Sequence, residues 1–378
     1  MCKLPRSFIH IAICVAGAAA CLAVLGPGLV CTVHGLTDYM DLYAGGKLSF
    51  TADQYNVSRV LAVEAHATGF YSPTRLFMRL PFVGLLLWPL AQLPYAISST
   101  LWELACLVAL ALFAALWPDD RKRLVSACCW SLPVWMTLAE GQDTAFLLLW
   151  LTLAALALQS KRPVAAGLML SICAAKFHLF LLLPVWMIAN RLWRVACGLS
   201  IGGSVLALLS FVAGGPSWPV RYYRLLANPA NNPYAGIMPN LHSLFFGSAQ
   251  GLWFEVIGSV VVAALVWSAV CKADLLSGLA IAVAGGVMVA PHDYMADCVL
   301  LLPLLVMLIG RCQSAWIHAP SLCLLTPVPY LALMANSLFV LLPVLLILTA
   351  LALGPESVRV AIQPRSEQYP AGAVDSPA

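Results

Sequence analysis

Runs of roughly 16 to 23 consecutive apolar residues recur along the whole chain, the length a helix needs to cross the hydrocarbon core of a bilayer. That repetition restricts the fold more than any motif does. A chain that is 62% hydrophobic and 10% charged, with a mean hydropathy of +0.91, has too little polar surface to clothe a water-soluble domain. In lipid every backbone N–H and C=O must find a partner inside the protein, so the expected class is an all-α polytopic membrane protein. Residues 8–30, preceded by Lys3 and Arg6, resemble a signal peptide. No small-residue cleavage site stands out, however, and further spans follow, so they are read as a retained first helix. The 13 cysteines fall almost entirely in apolar runs and include no CxxC pair, which argues against a disulfide framework or a zinc site. The net charge of +4 follows from membrane orientation and gives no reason to expect nucleic acid as a partner. From Glu356 onward, Pro364, Ser366, Pro370, Gly372 and Pro377 mark a disordered cytoplasmic tail, leaving 1–355 as a single integral-membrane domain.

Basic residues set the topology. Most Lys and Arg residues cluster at short joints: Lys3 and Arg6, Arg121-Lys122-Arg123, Lys161-Arg162, Arg191 and Arg194, Lys272, Arg311, and Arg359 with Arg365. If all these joints are cytoplasmic, the positive-inside rule is obeyed and an even number of passes lies between neighbours. Turns then fall at Glu140-Gly141-Gln142-Asp143, near Lys176-Phe177-His178, in a long outer loop over 214–250, at Pro291-His292-Asp293-Tyr294 and near Asn336. The parity gives about 12 spans with both termini inside and two larger outer loops. The stretch 77–93, broken by Pro81 and Pro89, becomes a re-entrant or juxtamembrane segment. The remaining basic residues, Lys47, Arg59, Arg75, Arg79, Lys176, Arg221 and Arg224, land on the outer face against the rule, which suggests an anionic ligand there.

Four outer-face groups could carry chemistry. Asp38 and Asp41 are spaced i, i+3 just beyond the first apolar run and would share a face if that helix continues. One of them could act as a general base towards a hydroxyl, or both could be solvated helix-end acids. Phe70-Tyr71-Ser72-Pro73-Thr74-Arg75 could present Tyr71 and Arg75 to a cavity, or simply pass over the interface with an aromatic anchor. Lys176 and His178 interrupt an apolar run, where a cation costs roughly 2.5–3.5 kcal/mol; a phosphate would repay that cost, as would snorkelling. Pro291-His292-Asp293-Tyr294, with Asp297 one turn later, reads as ligand contact, as a helix cap or, without His-x-x-x-His spacing, less readily as a metal site. Asn240 and His242 in Met238-Pro239-Asn240-Leu241-His242-Ser243 add a compact polar loop. The chain contains no GxxxxGK[ST], no GxGxxG after a strand and no GxSxG. An activated donor on the outer face would have to arrive attached to lipid.

Five features in order resemble the bacterial polyprenol-phosphate-mannose-dependent α-mannosyltransferases, glycosyltransferase family 87 of the GT-C superfamily. They are Asp38-Tyr39 through Tyr43-Ala44-Gly45, Tyr71-x-Pro73 followed by Pro89-Leu90 to Leu93-Pro94, Gly141-Gln142, Ala166-Gly167 leading to Lys176, and Pro291-His292-Asp293-Tyr294. The likeness covers roughly residues 8–310. It implies a GT-C-like fold in the bacterial plasma membrane that moves a hexose, mannose foremost, from polyprenyl phosphate to a lipid or glycan hydroxyl on the periplasmic face. The family's presumed base falls on Asp38. Substrate contacts are expected from Tyr39, Asp41, Tyr43, Tyr71, Arg75, Gln142, Lys176, His178, Arg221, Asn240, His242, His292 and Asp293, with inversion at the anomeric carbon. The scheme requires no metal or organic cofactor. A transporter or flippase for an anionic lipid-linked sugar is the competing reading, and a non-catalytic membrane assembly subunit a third.

Overall fold

The computed structural model of the chain describes residues 6–71, 75–228, 231, 234–312 and 314–354. The expected tail lies outside these residues. All regular structure among the described residues is helical, with no strand. Four helices, Tyr95–Leu116, Pro163–Phe180, Trp193–Gly214 and Gly251–Val270, are long and apolar enough to cross a membrane, and shorter apolar helices such as Thr144–Gln159, Leu275–Val289 and Leu338–Leu353 pack among them. Helix Leu275–Val289 is enclosed almost throughout. On Gly251–Val270, by contrast, Leu252 and Trp253 are 72% and 70% exposed. A helix apolar on every side suits lipid.

Helix ends are written locally. Asp120 caps Arg121–Trp130 by accepting from the Arg123 N–H at 3.1 Å, and Asp274 caps Leu275–Val289 through the Ser277 N–H at 2.7 Å, each satisfying an amide that has no partner within its own helix. Prolines open several helices, Pro81, Pro133 and Pro163 among them, where their missing N–H costs nothing.

The expected breaks are present. Residues 140–143 separate Leu132–Ala139 from Thr144–Gln159. Lys176, at φ −129° and ψ 57°, interrupts the 3-10 stretch Ile172–Phe180. Residues 290–294 separate Leu275–Val289 from the 3-10 helix Met295–Leu301.

Three details differ from expectation. The first helix, Arg6–Val33, does not run on to Asp41: the chain turns at Gly35, with φ +67°, and a separate helix, Tyr39–Lys47, begins after Asp38. The region 124–159 holds a third helix, because Ser131 ends Arg121–Trp130 and Pro133 starts Leu132–Ala139. Within 77–93 only Pro81–Ala91 is helical, 11 residues, roughly 17 Å at 1.5 Å per residue and too short to cross a core of about 30 Å. It packs on Tyr39–Lys47 where Gly46 meets Ala91.

Helices Pro163–Ser171 and Trp193–Gly214 cross at backbone contact. A Cβ on Gly167 would strike the Val195 carbonyl, and one on Gly198 the Val164 carbonyl. Small residues let membrane helices approach to backbone contact, where packing is the main adhesive. Gly198→Leu is expected to destabilise the protein by about 3 kcal/mol, the upper end of overpacking costs, read as a lower melting temperature in detergent. An unchanged melting temperature would show that this crossing can open freely.

Candidate active site

The turn at 140–143 organises one end of the bundle. Gly141 sits at φ +62°, a conformation that favours glycine, and its carbonyl accepts from the Trp102 indole at 2.7 Å. The next residue, Gln142, is thereby aimed inward. The Glu140 carbonyl accepts the Asp38 N–H at 2.9 Å, docking the Asp38 segment onto the same turn. Asp38 occupies the N-cap position of Tyr39–Lys47 but makes no side-chain cap bond. Its carboxylate turns away from the helix to form an ion pair with Arg75 Nε at 3.0 Å and to accept from Gln142 Nε2.

A polar cavity opens in front of this carboxylate. Asp38, Asp41, Arg75, Arg79, Gln142, Lys176, His178, His292 and Asp297 line it, with Asn231 and Tyr294 at its edge. Lys176 is 3% exposed and lies in the floor. Its ammonium donates to Asp297 Oδ1 at 2.6 Å, Gln142 Oε1 at 2.7 Å and Thr144 Oγ1 at 2.9 Å, and Asp143 Oδ1 lies 3.2 Å away. Arg79 grips both Asp143 oxygens, Nε at 2.7 Å and Nη2 at 3.1 Å. Asp38, Asp143 and Asp297 thus face Arg75, Arg79 and Lys176 in one connected, charge-balanced cluster. With no ammonium proton left over, a phosphate could reach Lys176 only by displacing one of these partners.

Electrostatics divide the acids. Burial raises the Asp38 pKa above its ordinary value, with Arg75, Lys176 and Arg79 opposing that rise. Burial acts on Asp143 in the same direction, but Arg79 and Lys176 overrule it and hold this carboxyl far below its ordinary value. Glu140, behind the turn, is pushed up to about 8 by burial and by the Asp38 charge. His292 is lowered to about 4, chiefly by burial, so its imidazole is neutral at pH 7 and can donate through one nitrogen and accept through the other.

A second cavity adjoins the first and shares Arg79, His178 and His292 with it, adding Phe177, Tyr222, Leu226 and Pro291. The polar chamber therefore continues into an apolar vestibule.

The structure gathers Asp38, Asp41, Arg75, Gln142, Lys176, His178 and His292 around one space. Other expected contacts fall elsewhere. Tyr39 stacks on Trp102 with ring centroids 5.1 Å apart and hydrogen-bonds Ser98 at 2.6 Å; Tyr43 donates to the Leu93 carbonyl at 3.0 Å. Both hold their helix against Tyr95–Leu116. Tyr71 is 55% exposed, and the neighbouring residues 72–74 lie outside the described residues. Arg221 donates to the Ala52 carbonyl, and His242 pairs with Glu255 at 3.0 Å. Asn240 and Asp293 are fully buried beneath the chamber and hydrogen-bond each other. Asp293 caps no helix, since Tyr294 takes that place before Met295–Leu301. Among the described residues no three His, Cys, Asp or Glu side chains are grouped to hold a metal ion.

Residues 77–291 match the model of glycosyltransferase family 87, more than half of the chain. The chain belongs to glycosyltransferase family 87. No curated protein and no solved structure matches it. The matched stretch contains Arg79, Gln142, Asp143, Lys176 and His178, whereas Asp38 and Arg75 precede it and Asp297 follows it. As a family 87 glycosyltransferase with apolar, membrane-length helices, this protein carries out sugar transfer in a membrane, and that speaks against the transporter reading. Arg79, Asp143 and Asp297 are site residues that the sequence reading named only as an outer-face cation, a turn residue and a neighbour of the 291–294 turn, and not as substrate contacts. Their signal was cost: a buried ion must be paired, and Lys176 alone in an apolar run called for carboxylates from neighbouring turns.

Proposed function

We propose that the enzyme transfers a hexose, mannose foremost, from a polyprenyl-phosphate donor to a hydroxyl of a lipid or glycan acceptor on the periplasmic face of a bacterial plasma membrane, with inversion. The observation that carries this reading is the Asp38 carboxylate, turned off its own helix and held by Arg75 and Gln142 at the wall of a cavity. A base in that position accepts the acceptor's proton as its oxygen attacks the anomeric carbon. The bond from that carbon to the phosphate oxygen breaks on the opposite side, and polyprenyl phosphate leaves as a monoester. As charge builds on the leaving oxygen, the remaining N–H donors of Arg75 and the His178 and His292 rings on the cavity wall supply preorganised stabilisation. A nearby carboxylate also favours the oxocarbenium character of the sugar.

The apolar vestibule beside the chamber suits a donor that arrives on a lipid. Orientation is argued from charge. The joints Arg121-Lys122-Arg123, Lys161-Arg162 and Arg191 with Arg194 lie at the helix ends away from the chamber. Placing them in the cytoplasm by the positive-inside rule turns the chamber outward, with about 12 crossings and both termini inside. The scheme calls on no metal or cofactor.

Purified protein incubated with radiolabelled polyprenyl-phosphate mannose and membrane lipid extract is expected to move label covalently to acceptor lipid or glycan. Parallel reactions with glucose, galactose and arabinose donors define the sugar. Transfer from a nucleotide sugar alone would remove the lipid-donor reading. Movement of intact lipid-linked sugar across vesicles, without covalent transfer, would restore the flippase.

A further inference from the structure

A separate cavity of about 690 Å³ opens at the other end of the bundle, within the usual range of roughly 300–1,000 Å³ for ligand sites. It lies between the start of Arg6–Val33, the helix Arg121–Trp130, and helices Leu302–Arg311 and Ala315–Leu324. His10 lines it. From His10 to the far end of the first helix at Val33 is about 35 Å at 1.5 Å per residue, so this cavity and the Asp38 chamber belong to opposite faces of the membrane.

Its walls and mouth differ in chemistry. Trp130, Val306, Ile309, Leu322 and Leu325 make the walls, and Lys122 and Arg123 stand with His10 at the polar side. Trp130 is fixed: its indole N–H donates to the Ile13 carbonyl at 3.2 Å, and its ring lies so close to Gly17 that a Cβ there would come within 2.6 Å. The Arg123 guanidinium lies over Gly310, where a Cβ would come within 2.5 Å of Nη1. Asp120 is the acid at the mouth. Its carboxylate caps the helix and pairs with Arg123 at 3.1 Å, the two side chains being 48% and 36% exposed for Arg123 and Asp120. A pair that open to water is weak and offsets one cation. The Lys122 ammonium has no carboxylate partner among the described residues.

We propose that this cavity binds one anionic phospholipid from the leaflet opposite the Asp38 chamber. Its phosphate lies between Lys122 and Arg123, and an acyl chain lies against Trp130, Ile309 and Leu325. Charge complementarity selects the head, as in other basic pockets between membrane helices, and the apolar walls select a chain over a free anion. The bound lipid ties Arg6–Val33 and Arg121–Trp130 to the two later helices, and it does so independently of the sugar chemistry.

The test uses the delipidated full chain in neutral detergent, with native mass spectrometry reading stepwise addition of phosphatidylglycerol or phosphatidylcholine. Phosphatidylglycerol is expected to bind about 10–30-fold more tightly. Lys122→Gln with Arg123→Gln should erase that preference. Ile309→Trp, which narrows the cavity and changes no charge, should weaken phosphatidylglycerol binding by about tenfold, the worth of about two buried methylenes of the acyl chain; Leu325→Trp replaces it if melting in the same detergent shows the first variant unfolded. Inorganic phosphate should not compete. Equal affinity for the two lipids overturns the proposal. Full competition by phosphate would make this a free-anion site, and insensitivity to a folded cavity-narrowing variant would reduce it to a charged surface; either result also overturns it.

Discussion

Replacing Asp38 by Asn is expected to lower sugar transfer by about 10²–10⁴-fold, the usual worth of a positioned general base, with the protein still folded. The amide keeps the carboxylate's shape, and its oxygen can still lie against Arg75, but it takes no proton from the attacking hydroxyl. Turnover of label from the lipid-linked donor checks this, with melting in detergent as the folding control. Near-normal turnover in folded Asp38→Asn would take the base away from this residue. Asp41→Asn should cost less, because Asp41 accepts from the N–H of its neighbour Leu42 at 2.8 Å. A worse Asp41 variant would move the base there. The pH profile gives a second reading. Burial raises the Asp38 pKa, and only the ionised form accepts a proton. Activity is therefore present above that raised pKa and falls as pH drops through it, beginning at a higher pH than an ordinary carboxylate would give. Asp38→Asn should abolish that acid limb.

Lys176→Met should be the most damaging change to stability. It leaves Asp143 and Asp297, both almost wholly enclosed, facing one another's charge without the ammonium between them. Breaking a buried ion cluster from one side typically costs about 3–5 kcal/mol. Adding Asp297→Asn to Lys176→Met removes one of the stranded charges and is expected to recover part of the loss, which a double-mutant cycle measures. A Lys176→Met protein that melts normally but binds donor poorly would make Lys176 a phosphate ligand and remove its role as the centre of the cluster.

Which parts of this could be read from sequence follows from what each signal depends on. Apolar run length pointed to an all-helical membrane protein, because a bilayer imposes its thickness on sequence directly, but only four helices among the described residues are long and apolar enough to cross. Polar interruptions located the turns at 140–143, Lys176 and 290–294 for a related reason: costly residues at membrane depth sit where the chain turns. Pairing was not legible. Asp143 chooses Arg79, 64 positions away, and Lys176 reaches Asp297 across 121, and nothing local encodes such partners. The resemblance put Tyr39 and Tyr43 among the substrate contacts; in the structure their rings pack on Tyr95 and Trp102, far along the chain. The i, i+3 spacing of Asp38 and Asp41 suggested one shared helix face. The turn at Gly35 made Asp38 the last residue before a new helix, free to point elsewhere.

The hydrogen bonds of Asn240 give the 238–245 loop a mechanical role. Its side chain holds both the Ala290 carbonyl, at 2.9 Å, and the Asp293 carboxyl, while its own position sets the start of the short helix Leu241–Phe245. His292 lies between those two anchor points. A displacement of the 238–245 loop would thus be transmitted to His292 on the chamber wall. Loop position and the placement of His292 are then linked through this one asparagine.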